Sequence, residues 1–185
     1  MKNTLQDYIK IYNIIPPEIC NSTIQSLNNA PWETHQFYDY KNETKISNEK
    51  ELSVAMYNTP SHEFLMALVD KAYTTYIKEL NFFWFGCWTK HTTIRFNKYS
   101  VGTQMKQHCD HIQSIFDGEN KGIPIMSCIG VLNDDYKGGE LVFFEDQIYK
   151  LNKGDILIFP SNFLYPHKVN EVIEGKRYTF VSWAF

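Results

Sequence analysis

The sequence predicts an α+β fold, with helices first and then a run of short antiparallel strands that can close into a barrel or a jelly roll. Three observations point there. Apolar residues recur at helical spacing after Pro16 and after Ser61. Beyond Leu80 the text turns to aromatic and β-branched residues broken by Asn, Asp and Gly turns. Aromatics make up 16% of the 185 residues, which suits packed β-layers.

Tyr8 to Ile15 mixes apolar and polar residues as a short strand does. Pro16-Pro17-Glu18 then starts a helix, because proline is tolerated in a first turn. Cys20, Ile24 and Leu27 follow at helical spacing, and Asn28-Asn29-Ala30-Pro31 ends the run. Trp32 to Ser53 is polar with scattered aromatics, either a long loop or a pair of weak strands. Ser61 caps the clearest helix, whose face is Phe64, Leu65, Leu68, Val69, Ala72, Tyr73 and Tyr76. This stripe reads as core-facing. Strands are expected at Thr92–Tyr99, Ile125–Asn133, Glu140–Phe144, Ile148–Leu151, Asp155–Phe159 and Tyr178–Phe185. Asn133 to Gly139 and Asn152-Lys153-Gly154-Asp155 supply turns between them.

The length suits a single domain over 1–185, with a helical support region over 1–81 and a strand-rich half over 82–185. A formal charge of −3 argues against a general nucleic-acid binder, leaving room only for a local basic patch. Cys20, Cys87, Cys109 and Cys128 are scattered without a C-x-x-C pair, as in reduced proteins. The opening residues lack the apolar stretch of a signal peptide, and no apolar run approaches a membrane span. The expectation is a soluble, cytoplasmic chain with no membrane partner; oligomeric state is not legible.

Chemistry enters at His108-Cys109-Asp110. If this is a strand, His108 and Asp110 share a face and Cys109 points away. His167 follows many residues later, in Tyr165-Pro166-His167. Two imidazoles and a carboxylate on one side of a metal leave the other side open for substrate and oxygen. An H-x-D tripeptide alone is common by chance, so its company matters. Arg177, Thr179, Val181 and Trp183 share a face of the last strand. A guanidinium beside a hydroxyl suits a carboxylate held at the closed end of a pocket, and the Tyr99 phenol is in reach of the same anion. Taken singly, Arg177 reads as a surface ion pair and Tyr99 as core.

Taken together these residues resemble the prolyl 4-hydroxylase-like branch of the 2-oxoglutarate/Fe(II) dioxygenases. The matching stretches run in family order: Arg95-Phe96-Asn97-Lys98-Tyr99 through Gly102 to His108-Cys109-Asp110, then Ser127 to Asn133. Tyr136-Lys137-Gly138-Gly139-Glu140-Leu141 and Lys153 to Pro160 follow, then Pro166-His167, Val169, Gly175-Lys176-Arg177 and Trp183. The resemblance covers about residues 90–185. It implies a double-stranded β-helix with the N-terminal helices packed against its major sheet. It implies His108, Asp110 and His167 as catalytic iron ligands and Arg177 as partner of the 2-oxoglutarate C5 carboxylate, assisted by Tyr99 and Thr179. It implies Fe(II), 2-oxoglutarate and O2, with ascorbate as a stimulant. The reaction implied is hydroxylation of an unactivated C–H bond with release of succinate and CO2, on a peptidyl, prolyl-type residue.

Two positions depart from the family. Arg177 stands where prolyl hydroxylases often carry lysine, and both hold a carboxylate. Met105 stands where an aromatic residue is common, which alters the pocket wall. Asp110 argues against the halogenating relatives, in which a small residue leaves room for chloride. Trp183 occupies the position of the second arginine of nucleic-acid demethylases in the superfamily. The competing readings are a hydroxylase of a free amino acid or small metabolite, and a non-catalytic jelly-roll module that binds a metal or small acid.

His111 and Cys109 are expected to face away from the metal, and Cys128 has no assignable face. Gly138-Gly139 lacks the context of a phosphate loop and reads as a tight turn. Trp32–Ser53 and Asp117–Gly122 are candidates for walls over the substrate cleft.

Overall fold

Alternation along four central strands decides the architecture, and the computed structural model describes it for residues 4–39, 42, 44–47, 50–110 and 124–185. A 3-10 turn at Leu5–Tyr8 leads into β1 (Lys10–Asn13), α1 (Pro17–Ser26) and a second 3-10 turn at Leu27–Asn29. Four short strands follow, β2 (Glu33–Thr34), β3 (Phe37–Asp39), β4 (Thr44–Ile46) and β5 (Ser53–Ala55), before the long α2 (His62–Leu80). The strand-rich half begins with β6 (Arg95–Tyr99), β7 (Met105–His108) and β8 (Met126–Val131). It continues through β9 (Lys137–Gly138), β10 (Leu141–Phe143), β11 (Gln147–Tyr149) and β12 (Asp155–Pro160). It ends with β13 (His167–Val169), β14 (Val172–Glu174) and β15 (Arg177–Ala184).

Antiparallel pairing builds a major sheet in the order β1-β12-β8-β15-β6-β5-β2 and a facing minor sheet in the order β11-β10-β13-β7. β14 pairs with β9 and β3 with β4. This is the double-stranded β-helix, with α1 and α2 against the major sheet. Successive strand residues point to opposite faces. Hence Met126, Cys128, Ile156, Ile158, Phe180 and Ala184 pack with the helices. Their neighbours Ile129, Val131, Leu157, Phe159 and Val181 pack between the two sheets. Both faces of the central strands are covered, which explains their nearly continuous apolar text.

Phe180 sits directly across from Gly130 on β8, and a Cβ at Gly130 would fall inside the Phe180 ring. The small residue thus lets an aromatic ring lie flat across the sheet under the helices.

α2 buries Leu65, Val69, Ala72, Tyr73 and Tyr76, as its spacing requires. Two of these are also polar anchors: the Tyr73 hydroxyl donates to the Ser182 carbonyl at 2.9 Å and Tyr76 to the Tyr8 carbonyl at 2.8 Å. Phe64 is instead 47% exposed, one position outside the stripe. Ser61 does not cap the helix with its side chain; its hydroxyl joins Thr23 at 2.6 Å and Thr59 at 3.2 Å, tying α2 to α1. The helix ends where Asn81 turns left-handed at φ 51°, which asparagine tolerates.

The polar stretch after Trp32 is a set of weak strands. β2 extends the major sheet through β5, and β3 and β4 form a hairpin. The expected strand from Thr92 begins only at Arg95, and β13 and β14, three residues each, lie outside the expected strands because a run so short shows no alternation. Among the described residues, no helix is long and apolar enough to cross a membrane.

Candidate metal centre

β7 and β13 are neighbours in the minor sheet, and their register sets His167 opposite His108. The imidazole centroids lie 4.3 Å apart. The expectation that His108 and Asp110 occupy one strand is not met: His108 is the last residue of β7, and Asp110 lies beyond it. The chain nevertheless brings the Asp110 carboxylate inward, with Oδ1 3.4 Å from His108 Nε2 and 3.7 Å from His167 Nε2. The three residues present ligand atoms all within 4.8 Å of one another. Cys109 faces elsewhere, its thiol 3.7 Å from the Phe163 carbonyl.

Hydrogen bonds fix which atoms face the centre. His108 Nδ1 lies 2.8 Å from the Lys106 carbonyl and His167 Nδ1 3.1 Å from the Tyr165 carbonyl. A carbonyl only accepts, so each Nδ1 carries a proton, and in the neutral imidazole each Nε2 keeps its lone pair for a metal. Asp110 Oδ2 is likewise engaged, accepting from Ser127 Oγ at 2.6 Å and from Trp183 Nε1 at 2.9 Å. Ser127 has one proton and gives it to Asp110, so Ser161 must donate to Ser127 in the buried serine pair. Oδ1 alone is left for the metal.

Burial raises the cost of charge on Asp110, but the two imidazoles and Ser127 outweigh it and hold the carboxyl well below its usual range. His167, buried among Phe143 and Phe159, is lowered to about 4 chiefly by that burial. His108 moves the other way: burial opposes its charge, and its hydrogen bond to Asp110 and the carboxylate charge more than offset this.

The other end of the cavity between the sheets is cationic. Arg177 opens β15, pairs with Tyr99 on β6, and is 2% exposed. Its guanidinium lies 4.9 Å from the Tyr99 ring and 3.5 Å from the Thr179 hydroxyl, while its Nε has no partner. Burial pushes the Tyr99 phenol up, and the nearby Arg177 and Arg95 charges offset part of that. Gly138 and Gly139 both have positive φ, at 73° and 67°, so the expected tight turn is present. A Cβ on Gly139 would stand 3.1 Å from the Arg177 Cδ, so this glycine also makes room for the arginine stem.

The structure therefore brings His108, Asp110, His167, Arg177, Tyr99 and Thr179 to one cavity, which Met105 also lines. Ser127 opens one of the matching stretches, but nothing local marks it as a partner of Asp110, and Ser161 carries no motif. Arg95 and Asn97 also line the cavity; their parity with Tyr99 on β6 was the signal available. Cys128 faces the helices, away from the site. His111, the stretch Asp117–Gly122 and part of the segment after Tyr38 lie outside the described residues.

The donor set fits Fe(II): two imidazole nitrogens and one carboxylate oxygen converge, and their remaining polar atoms are bound to protein. The orphaned Arg177 Nε marks a place for an anion.

Comparison with known proteins agrees. Residues 94–185 match the family model of the 2OG-Fe(II) oxygenase superfamily. A PKHD-type hydroxylase of Rippkaea orientalis is 33% identical over 96 residues, covering 49% of this chain and 41% of the relative. The chain thus spans less than half the length of that curated relative. A prolyl hydroxylase from Trichoplax adhaerens, solved with a peptide fragment of hypoxia inducible factor, shares the fold with a TM-score of 0.70 at 18% identity, over 96% of this chain and 83% of that one. A prolyl-4-hydroxylase from Pseudomonas putida does so with a TM-score of 0.67 at 13% identity, over 96% and 92%. Through residues 94–185, this chain belongs to the 2OG-Fe(II) oxygenase superfamily, with a prolyl hydroxylase-like double-stranded β-helix.

Proposed function

We propose that the domain is an Fe(II)- and 2-oxoglutarate-dependent hydroxylase acting on an unactivated C–H bond of a prolyl-type or other amino-acid side chain, releasing succinate and CO2. One observation carries this reading: a two-histidine, one-aspartate cluster and a buried arginine with an unpartnered Nε line the same cavity. His108, Asp110 and His167 would hold the iron, which supplies the oxidising chemistry when it and oxygen are bound. Ser127 and Trp183 keep Asp110 aimed by donating to its far oxygen. Arg177, with Tyr99 and Thr179 beside it, would bind the C5 carboxylate of 2-oxoglutarate and orient its other end towards the metal. The apolar walls, Ile129, Leu141 and Val169 among them, keep water from the reacting atoms. The prolyl-type target is supported by the names of the PKHD-type and prolyl hydroxylase relatives.

The test is release of succinate and CO2 from 2-oxoglutarate by anaerobically Fe(II)-loaded protein, started with oxygen. Proline-containing peptides and free amino acids serve as stimulants. Turnover lost in both His108→Ala and Arg177→Ala is expected. Failure of the wild type to bind either metal or 2-oxoglutarate would overturn the reading.

A further inference from the structure

The cavity holds a second guanidinium that the proposed reaction leaves unused. Arg95 opens β6 and pairs with Val181, while Tyr99, four residues on, pairs with Arg177. At about 3.3 Å per residue, the two arginines enter the cavity roughly 13 Å apart along the strands. The Arg95 guanidinium carbon lies 5.0 Å from the ring of Trp183, the residue that also donates to Asp110. Its charge acts on Tyr99 as well as on Asp110 and His108, and its contact with Trp183 places it within reach of the metal side of the cavity. Yet its Nε is buried and has no partner, and among the described residues the group makes no ion pair. On the same face, the buried Asn97 Oδ1 is also unpartnered.

Charge counting shows what is missing. A divalent iron, the Asp110 carboxylate, a doubly charged 2-oxoglutarate and Arg177 balance one another. Arg95 is a further cation beyond that set, desolvated and without an ion pair among the described residues, a costly arrangement unless an anion joins it. A neutral peptide backbone would not provide one.

We propose that Arg95 binds the carboxylate of the primary substrate and that Asn97 Oδ1 accepts from its ammonium group, so that the substrate is a small amino acid with a free α-carboxylate. This rests on the hydroxylase reading above and names the substrate class it left open. The guanidinium fork receives the carboxylate in two parallel hydrogen bonds, and Trp183 braces its other face. The substrate is thereby held beside the metal end, apart from the carboxylate at Arg177.

The experiment uses Mn(II)-loaded protein saturated with 2-oxoglutarate under nitrogen. It is titrated calorimetrically with the proteinogenic L-amino acids, each beside its carboxamide, and with a proline-containing peptide blocked at both ends. At least one acid is expected to bind about tenfold or more tightly than its amide, as the loss of a charge-assisted hydrogen-bond pair requires. Arg95→Met is expected to abolish that preference with 2-oxoglutarate affinity unchanged within about threefold, and Arg95→Lys to keep part of it. Thermal unfolding of both variants verifies their folding. No acid-over-amide preference across the panel, a preference that survives in Arg95→Met, or blocked-peptide binding indifferent to Arg95 would each overturn the proposal. Wild type that binds no Mn(II) or 2-oxoglutarate would instead sink the hydroxylase reading beneath it.

Discussion

Replacing Arg177 by methionine separates what this residue does for binding from what it does for folding. In the ligand-free protein the guanidinium is 2% exposed, its Nε has no partner, and its contact with the Thr179 hydroxyl is long at 3.5 Å. Such a group is a net burden on the fold, because desolvation of the charge is offset only in part by the Tyr99 side chain and the long Thr179 contact. Methionine has similar reach and no charge, so the metal-free variant should unfold at the same temperature as wild type or higher. Binding should respond in the opposite sense. Charge-assisted hydrogen bonds contribute roughly 1.5–3 kcal/mol each. Losing a bidentate pair should therefore cost roughly 3–4 kcal/mol once relaxation of Tyr99 and Thr179 is allowed for, which at about 1.4 kcal/mol per decade is two to three orders of magnitude in affinity for 2-oxoglutarate. Calorimetric titration of Mn(II)-loaded protein under nitrogen reads the affinity, and thermal unfolding of the metal-free protein reads the fold. An affinity within threefold of wild type would refute the assignment of Arg177. A large drop in unfolding temperature would refute the claim that the charge burdens the ligand-free protein.

Three further outcomes follow from the geometry. Trp183→Phe removes the Nε1 donor from Asp110 Oδ2 but leaves Ser127 in place, so metal affinity should fall about tenfold, measured by competition with a chelator; an unchanged affinity would show that the indole only packs. Metal affinity should rise with pH, because His108 has a raised pKa and must lose its proton to bind, whereas His167, lowered to about 4, is already neutral. With one proton displaced, the slope should be about tenfold per pH unit below the His108 pKa and flat above it, and a flat profile from about pH 5 to pH 8 would contradict this. Gly130→Ala forces a methyl into the Phe180 ring and should destabilise the protein by about 1–3 kcal/mol in denaturant titration; wild-type stability would mean that the ring relocates freely.

Much of this protein is written locally. The α2 stripe from Leu65 to Tyr76 depends on a spacing of a few residues. So do the buried strands around Ile129, Ile156 and Phe180, and the turns at Gly139 and Gly154. Burial and backbone sterics act over that range, so the α+β class was legible, and so were the candidate ligand types at His108, Asp110 and His167 and the shared face of Arg177 and Thr179. Phe64 and Ser61 show where local reasoning stops. The stripe did not reveal that Phe64 lies just outside the contact with the sheet, nor that Ser61 finds Thr23 on another helix.

Tertiary structure alone decided the centre itself. His108 and His167 meet because β7 pairs with β13, and Asp110 joins them from outside a strand, held by Ser127 from β8 and Trp183 from β15. Ser127 and Trp183 fall in stretches of the family pattern, but their role as donors to Asp110 is not written there, since any residue of the right parity on the right neighbouring strand can supply it. The same holds for Arg95, an unremarkable member of an aromatic strand until pairing with β15 places its charge beside Trp183 and the metal end of the cavity. Which residues lie in the cavity is a question of strand order, and strand order is set by long-range packing that no single stretch of sequence contains.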